Sequence, residues 1–441
     1  MASRAARLPG FAGRSGGPRR CPRGQFVKQT IHTTSLANGI VVLGEELPDL
    51  ESVAIAFHVA AGGVYDGSGR CGLASLTGEM MLRGAGDRDS RRLIEDLEQA
   101  GIQWSQAVST SHASFSGAMV ASCLPEAMPI YADILLRPRL PETQIDSGRQ
   151  VILQGLAGTE DDPAHRAILA IKQLIYPSPW GMPAEGLSAE VAGLGIDDVR
   201  GFVEKFIRPE GMIIAAAGRI DWPQLVAMAE QHFGDFHGGT AAGVARGERG
   251  GRLRHVTHDS QQTHIALAWP LPPYQSEKSY EATAALAILG GGSSSRLFTE
   301  VRERRGLCYS VSAGYHTQRE FASAICHAGT SGERAQETLD VMLAEIARLP
   351  GSISEEELSR VKARAKAALV MQQESSAARA GGLGRQWYHL GRVRSPADEL
   401  DRIDAISVDS VESWLEANPP AGITTVSLGR EPLEVPGAVS A

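Results

Sequence analysis

The sequence predicts an α+β protein built from two homologous halves joined by a Gly-rich linker. Three observations lead there. Residues 53–60 (VAIAFHVA) alternate as a strand does, and residues 263–270 (THIALAWP) repeat that character 210 residues later. GMIIAAAG ends at Gly218 and GITTVSLG ends at Gly429, an offset of 211. Each is preceded by a short amphipathic stretch, with Asp197-Asp198-Val199 in one and Asp409-Ser410-Val411 in the other. Matching offsets at both ends of a unit point to duplication, against chance patterning as the competing reading. Helical stripes stand beside the strands. Residues 90–100 place Leu93, Leu97 and Ala100 on one face and stop at Gly101. Leu339, Met342, Leu343, Ile346 and Leu349 form a similar stripe, and both read as core packing. Strand pairs with helices grouped beside them give the α+β class.

The halves are expected over residues 26–236 and 252–435. Between them, residues 237–251 (HGGTAAGVARGERGG) hold six glycines and no large apolar side chain, the composition of a flexible linker. Residues 1–25 hold six arginines and no acid; the first acidic residue is Glu45. This stretch reads as a disordered extension, with an organelle transit peptide as the other reading. The chain of 441 residues is long enough for two domains with a large core. A net charge of -8 argues against a nucleic-acid surface covering the whole protein. No apolar run reaches the roughly 18 residues of a transmembrane helix. Five scattered cysteines without a C-x-x-C pair argue against a disulfide scaffold. A bacterial cytoplasmic location is expected, with the mitochondrion as the alternative that the Arg-rich start allows.

Two stretches carry more specific information. Residues 36–86 open on Leu36, Asn38 and Gly39, turn at Gly62-Gly63 and continue as GLASLTGEMMLRGAG from Gly72. Residues 289–311 read LGGGSSSRLFTEVRERRGLCYSV. Together they resemble the pitrilysin/insulinase-type zinc metallopeptidases, and specifically two-domain subunits like those of mitochondrial processing peptidase. The resemblance covers nearly everything after residue 30. It implies the family's clamshell, in which two halves of α/β repeats enclose a chamber.

Active members of that family carry His-x-x-Glu-His on a helix of the first half. Histidines at i and i+4 share one helical face and can both bind Zn²⁺. The glutamate between them acts as general base on the metal-bound water. Matching the motif onto this chain puts Ser75 at the first histidine, Gly78 at the base and Glu79 at the second histidine. The distal glutamate of the family falls on Gly155, in residues 151–155 (VILQG). All four positions are replaced, so the resemblance implies an inactive member without zinc in its own chain. The family's Asn-Ala pair after the helix-ending glycine is also missing, with Ser105 at the asparagine. His255, His258 and His264 cluster later in the chain, but 255 and 258 point to opposite faces of a strand, so solvated or capping roles are expected rather than a replacement metal site. The run Gly290-Gly291-Gly292 lacks the lysine of a phosphate-binding loop and is not expected to hold a nucleotide.

The second half of active enzymes in the family supplies an Arg and a Tyr seven residues apart that contact substrate. Here they are Arg302 and Tyr309. Residues 296–305 read as a helix, Gly306 as its stop and Tyr309 as a strand start, a turn expected to bring the two side chains together. Both can donate to a carbonyl oxygen that gains negative charge. The plainer readings are a surface ion pair of Arg302 with Glu300 or Glu303, and a half-buried strand position for Tyr309. Zinc positions lost and Arg/Tyr retained fit the non-catalytic subunit of a heterodimeric zinc metallopeptidase. The implied partners are a zinc-bearing homologous subunit and an extended peptide. Two alternatives remain: a non-proteolytic structural or assembly subunit, like the core proteins of respiratory complexes, and a stand-alone peptide-binding chamber.

Overall fold

The computed structural model describes residues 30–238 and 243–435; the extension expected over residues 1–25 and linker residues 239–242 lie outside them. In chain order the first half contains β1 (Thr30–Ser35), β2 (Val41–Glu46), β3 (Ser52–Val59), α1 (Leu73–Met81), a short ribbon of β4 (Gly84–Ala85) and β5 (Arg88–Asp89), α2 (Ser90–Gln99), β6 (Gln103–Val108), β7 (Ala113–Val120), α3 (Leu124–Leu136), α4 (Ile145–Glu160), α5 (Pro163–Ile175), α6 (Ser188–Val191), α7 (Ile196–Phe206), β8 (Ile213–Gly218) and α8 (Trp222–Phe233). The second half contains β9 (Leu253–Thr257), β10 (Gln262–Leu271), α9 (Ser279–Gly290), a π-helical segment Phe298–Arg304, β11 (Cys308–Thr317), β12 (Ala322–Ser331), α10 (Ala335–Ala347), α11 (Glu355–Gln373), α12 (Ser376–Leu390), α13 (Pro396–Ala405), α14 (Val408–Ala417) and β13 (Thr424–Gly429).

Local chemistry sets several of these boundaries. Asp89 caps α2 by accepting the Arg92 amide, and Asp162 caps α5 by accepting the amides of Ala164 and His165. Gly101 follows α2 with φ +65, where a side chain would be strained.

The duplication is visible in the sheets. The first runs β1-β2-β8-β3-β7-β6 and the second β9-β13-β10-β12-β11, so without β1 the two orders correspond strand for strand. In each, the pair joining first and last strands (β2 with β8, β9 with β13) is parallel and the others are antiparallel.

Each sheet buries one face against its own half. Val53, Ile55, Phe57 and Val59 of β3 pack with Leu76 and Met80 of α1, Leu93 and Leu97 of α2, and Phe233 of α8. The other face is covered by a helix from the opposite half. Ala54, Ala56, Ala215 and Ala217 receive Ala380 and Leu383 of α12. In return, Ala167, Ala170, Ile171 and Leu174 of α5 pack on Ala266, Ala268, Val426 and Leu428. Small residues allow the close approach: a Cβ on Gly384 would lie 2.4 Å from the His58 ring. Arg379 of α12 and Glu45 of β2 form an ion pair at 3.1 Å across this junction, with side chains only 4% and 5% exposed. Tyr176, just after α5, sets its hydroxyl 2.7 Å from His316 Nδ1 in the second half. The described part of the linker lies against the body of the protein: the Gly247 amide donates to Ser178 O, and Arg246 stands 4.5 Å over the Phe321 ring. No helix among the described residues is long and apolar enough to cross a membrane.

Candidate functional site

Helix α1 carries the positions matched to the zinc motif. The Ser75 hydroxyl donates to Ala184 O at 2.7 Å. Gly78 is buried, and the space beside it belongs to Gln106 of β6: a Cβ on Gly78 would lie 2.0 Å from Gln106 Nε2. Glu79 is held by Arg83 one turn on, at 2.7 Å. On α4, Gly155 faces open space and is exposed. These four positions do not fit a zinc ion. Two have no side chain, one hydroxyl is committed to a carbonyl, and the single carboxylate is already paired with a guanidinium. Ser105, at the family's asparagine, lies on β6, the outer strand of the first sheet, and shares a hydrogen bond with Ser116 at 2.8 Å.

In the second half, the residues leading to Tyr309 fold as expected in outline. Helical turns end at Gly306 with φ +60, and β11 begins at Cys308. The helix is π-wound over Phe298–Arg304 rather than regular α, a form common at functional sites. The ladder between β11 and β12 shifts register between Cys308 and Ser310. Such a bulge leaves its residue unpaired and re-aims its side chain. Tyr309 is that residue, and it is 49% exposed. Its hydroxyl donates to Gln262 Oε1 at 2.8 Å and lies 3.4 Å from His264 Nε2. Burial, with smaller contributions from Asp162 and Cys308, raises its pKa, so the phenol stays a donor at neutral pH.

No hydrogen bond joins Arg302 to Tyr309. The Arg302 guanidinium lies 4.8 Å over the Phe298 ring, one turn back on its own helix. Tyr309 is instead bonded to Gln262. Nor does Arg302 pair with an acid among the described residues: Glu300 is taken by Arg304 and Arg305. The Arg302 side chain is exposed.

The clustered histidines separate. His255 Nδ1 pairs with Ser427 Oγ at 2.9 Å, and His258 Nδ1 with Arg166 at 3.2 Å. His264 is buried and stacks on His327, with ring nitrogens 3.2 Å apart. Burial lowers the pKa of both, to about 4 for His327. Gln262 and His264 contact Tyr309, and His327 backs His264, a grouping that no motif in the sequence marks. Only the strand register, which sets His327 opposite Ala266, brings them together. No group of three or more His, Cys, Asp or Glu side chains among the described residues is placed to hold a metal ion. Gly290 ends α9 against Ala313, where a Cβ would lie 2.3 Å from the backbone nitrogen, so this glycine serves close packing.

Comparisons with known proteins agree across most of the chain. The family model described as insulinase (peptidase family M16) matches residues 41–177, and that described as peptidase M16 inactive domain matches residues 193–365. An uncharacterized zinc protease of Mycobacterium tuberculosis is 28% identical over 406 residues, covering 90% of this chain and 92% of its own. One from Rickettsia felis is 25% identical over 387 residues, covering 87% and 94%. A crystal structure described as the peptidase M16 inactive domain from Pseudomonas fluorescens superposes with TM-score 0.81 at 22% identity, over 92% of this chain and 99% of that one. A chain of complex III from Candida albicans superposes with TM-score 0.77 at 19% identity, over 91% and 96%.

Proposed function

The chain belongs to the insulinase/pitrilysin peptidase family M16 as a member without the His-x-x-Glu-His motif, and we propose that it is the non-catalytic subunit of a heterodimeric zinc metallopeptidase. In this reading the chain carries no zinc, and a homologous partner brings the metal. Arg302 and Tyr309 meet the peptide at the partner's zinc site. The observation that carries the reading is Tyr309 itself. A bulge turns it outward, it is half exposed, and a glutamine holds its hydroxyl as a donor. A carbonyl oxygen of an extended peptide that displaces Gln262 would receive that hydrogen bond. Arg302, exposed and without an acid partner among the described residues, adds positive charge seven residues earlier in the same motif. On α1, Gln106 fills the space of a general base, which supports a supporting rather than a hydrolytic role for this half. The peptide is expected to bind extended, by strand addition at a sheet edge.

The two zinc-protease relatives named above are bacterial, which supports a bacterial cytoplasmic location in this reading. The test is affinity purification of the tagged native protein, with zinc and peptidase assays on the eluate. A stoichiometric homologue bearing His-x-x-Glu-His, with activity that needs both chains, is the expected result. Tyr309→Phe should then lower the activity of the pair by roughly 10²-fold, the scale of one lost oxyanion donor. Recovery of the chain with unrelated subunits and no zinc would favour the structural or assembly role instead.

A further inference from the structure

Two cavities share a wall where the halves meet. The first, ≈ 360 Å³, lies among His58, Ser111, His112 and Ser114 of the first half and His316 and Tyr388 of the second. The second, ≈ 330 Å³, lies among Tyr274, Tyr280, Tyr315, Val361, Ile403 and Ile406. Thr317, Arg385 and His389 line both.

Their chemistries are complementary. The first is walled by hydroxyls and imidazoles and by no carboxylate. Arg385 stands at the shared wall, exposed, and makes no hydrogen bond or ion pair with another described residue. His389 Nδ1 is buried there without a hydrogen-bond partner. A buried polar atom left in that state marks a place for a missing partner. The second cavity is apolar and aromatic. Its one carboxylate, Glu399, is bonded by the Tyr280 hydroxyl and lies 3.5 Å from Arg394. Its one lysine, Lys362, donates to the carbonyls of Asp404 and Ile406. Neither charge is free to meet a ligand, so the uncommitted cation of the site is Arg385.

We propose that the paired cavities form one binding site for an amphiphilic carboxylate, with an aromatic body among Tyr274, Tyr280 and Tyr315 and the carboxylate at Arg385 and His389. A free small aromatic acid and the C-terminal residue of a peptide ending in Phe share this chemistry. The site lies on this chain alone, so it stands whether or not a zinc-bearing partner exists.

Calorimetric titration of the full chain tests it, with 3-phenylpropionate, its alcohol 3-phenylpropan-1-ol, and acetyl-Gly-Gly-Phe as free acid and as amide. Saturable binding of at least one acid is expected, with the matching alcohol or amide weaker by about tenfold or more, the scale of a lost charge-assisted hydrogen bond. Arg385→Gln should remove that preference, and its exposed position leaves the fold intact. Ala365→Phe, from a half-buried helix position lining the apolar cavity, should block the body of the ligand. Tight binding of the peptide acid points to a peptide C-terminus; binding of 3-phenylpropionate alone points to a free acid. Absence of saturable binding by either acid, or equal affinity in Arg385→Gln, overturns the assignment.

Discussion

Tyr309 lies across Gly329 of the neighbouring strand, and a Cβ there would come within 2.5 Å of its hydroxyl. The ring holds its place because position 329 has no side chain. Gly329→Ala should push the phenol off Gln262 without disturbing the core, since Tyr309 is half exposed and free to swing. In the two-chain peptidase this variant should lose activity on the scale of Tyr309→Phe, while its thermal stability changes by less than about 1 kcal/mol. Unchanged activity would separate Tyr309's position from its role. Sequence motifs single out Arg302 and Tyr309 as candidates because both sit in one continuous stretch. They did not reveal the partner of Tyr309, Gln262, which comes from another strand. His264 and His327, 63 residues apart, stayed invisible for the same reason: their pairing depends on strand register. On α1, the replacements at Ser75, Gly78 and Glu79 were readable as letters. That Gln106 occupies the space beside Gly78 was not, since it comes from another element.

Helix α12 shows what single elements contribute. It is short of large apolar residues, and its sequence, SAARAGGLGRQWYHL, resembles a surface helix more than a core one. Its small residues let it lie flat on an alanine-rich sheet face, which is why composition alone understates its burial. Two variants probe this contact. Gly384→Ala places a methyl group against the His58 imidazole and should destabilise by about 1–3 kcal/mol, as overpacking does. Arg379→Met leaves the Glu45 carboxylate almost fully buried without a counter-charge, and should cost about 3–5 kcal/mol. Burial already raises the Glu45 pKa and lowers that of Arg379, so the pair carries a desolvation penalty. The double variant Glu45→Gln/Arg379→Met should therefore recover most of the loss. Urea denaturation of the parent, Glu45→Gln, Arg379→Met and the double variant gives the coupling, and additive losses would mean the ion pair contributes nothing across the junction.

At the scale of the molecule, the repeated offsets near 210 residues anticipated the matching sheets, because duplication preserves strand spacing even where residues diverge. The exchange of α5 and α12 was not legible, since nothing in a helix's own sequence says which of two similar sheets it covers. It follows that residues 30–238 alone would expose an alanine-rich sheet face and should not give a cooperative unfolding transition without the second half. The junction also sets an acid limit. His58, His112, His316 and His389 gather there, facing Ser114, Tyr388, Tyr176, Lys172, Arg319 and Arg385. Burial holds their pKa values near 4, 3, 4 and 4, against 6.5 in an unfolded chain. A histidine with a lowered folded pKa contributes stability that is present above about pH 6.5 and is lost as pH falls toward 4. Asp66 acts the other way: burial raises it to about 7, so the folded state gains as pH drops below 7. Four imidazoles outweigh this carboxyl and the raised Glu45, and Tm should fall between pH 6.5 and 4.5. His58→Gln removes one of the four and should flatten that slope relative to the parent. A Tm that stays level or rises over this range would mean the junction already opens to protonate its histidines while the fold persists.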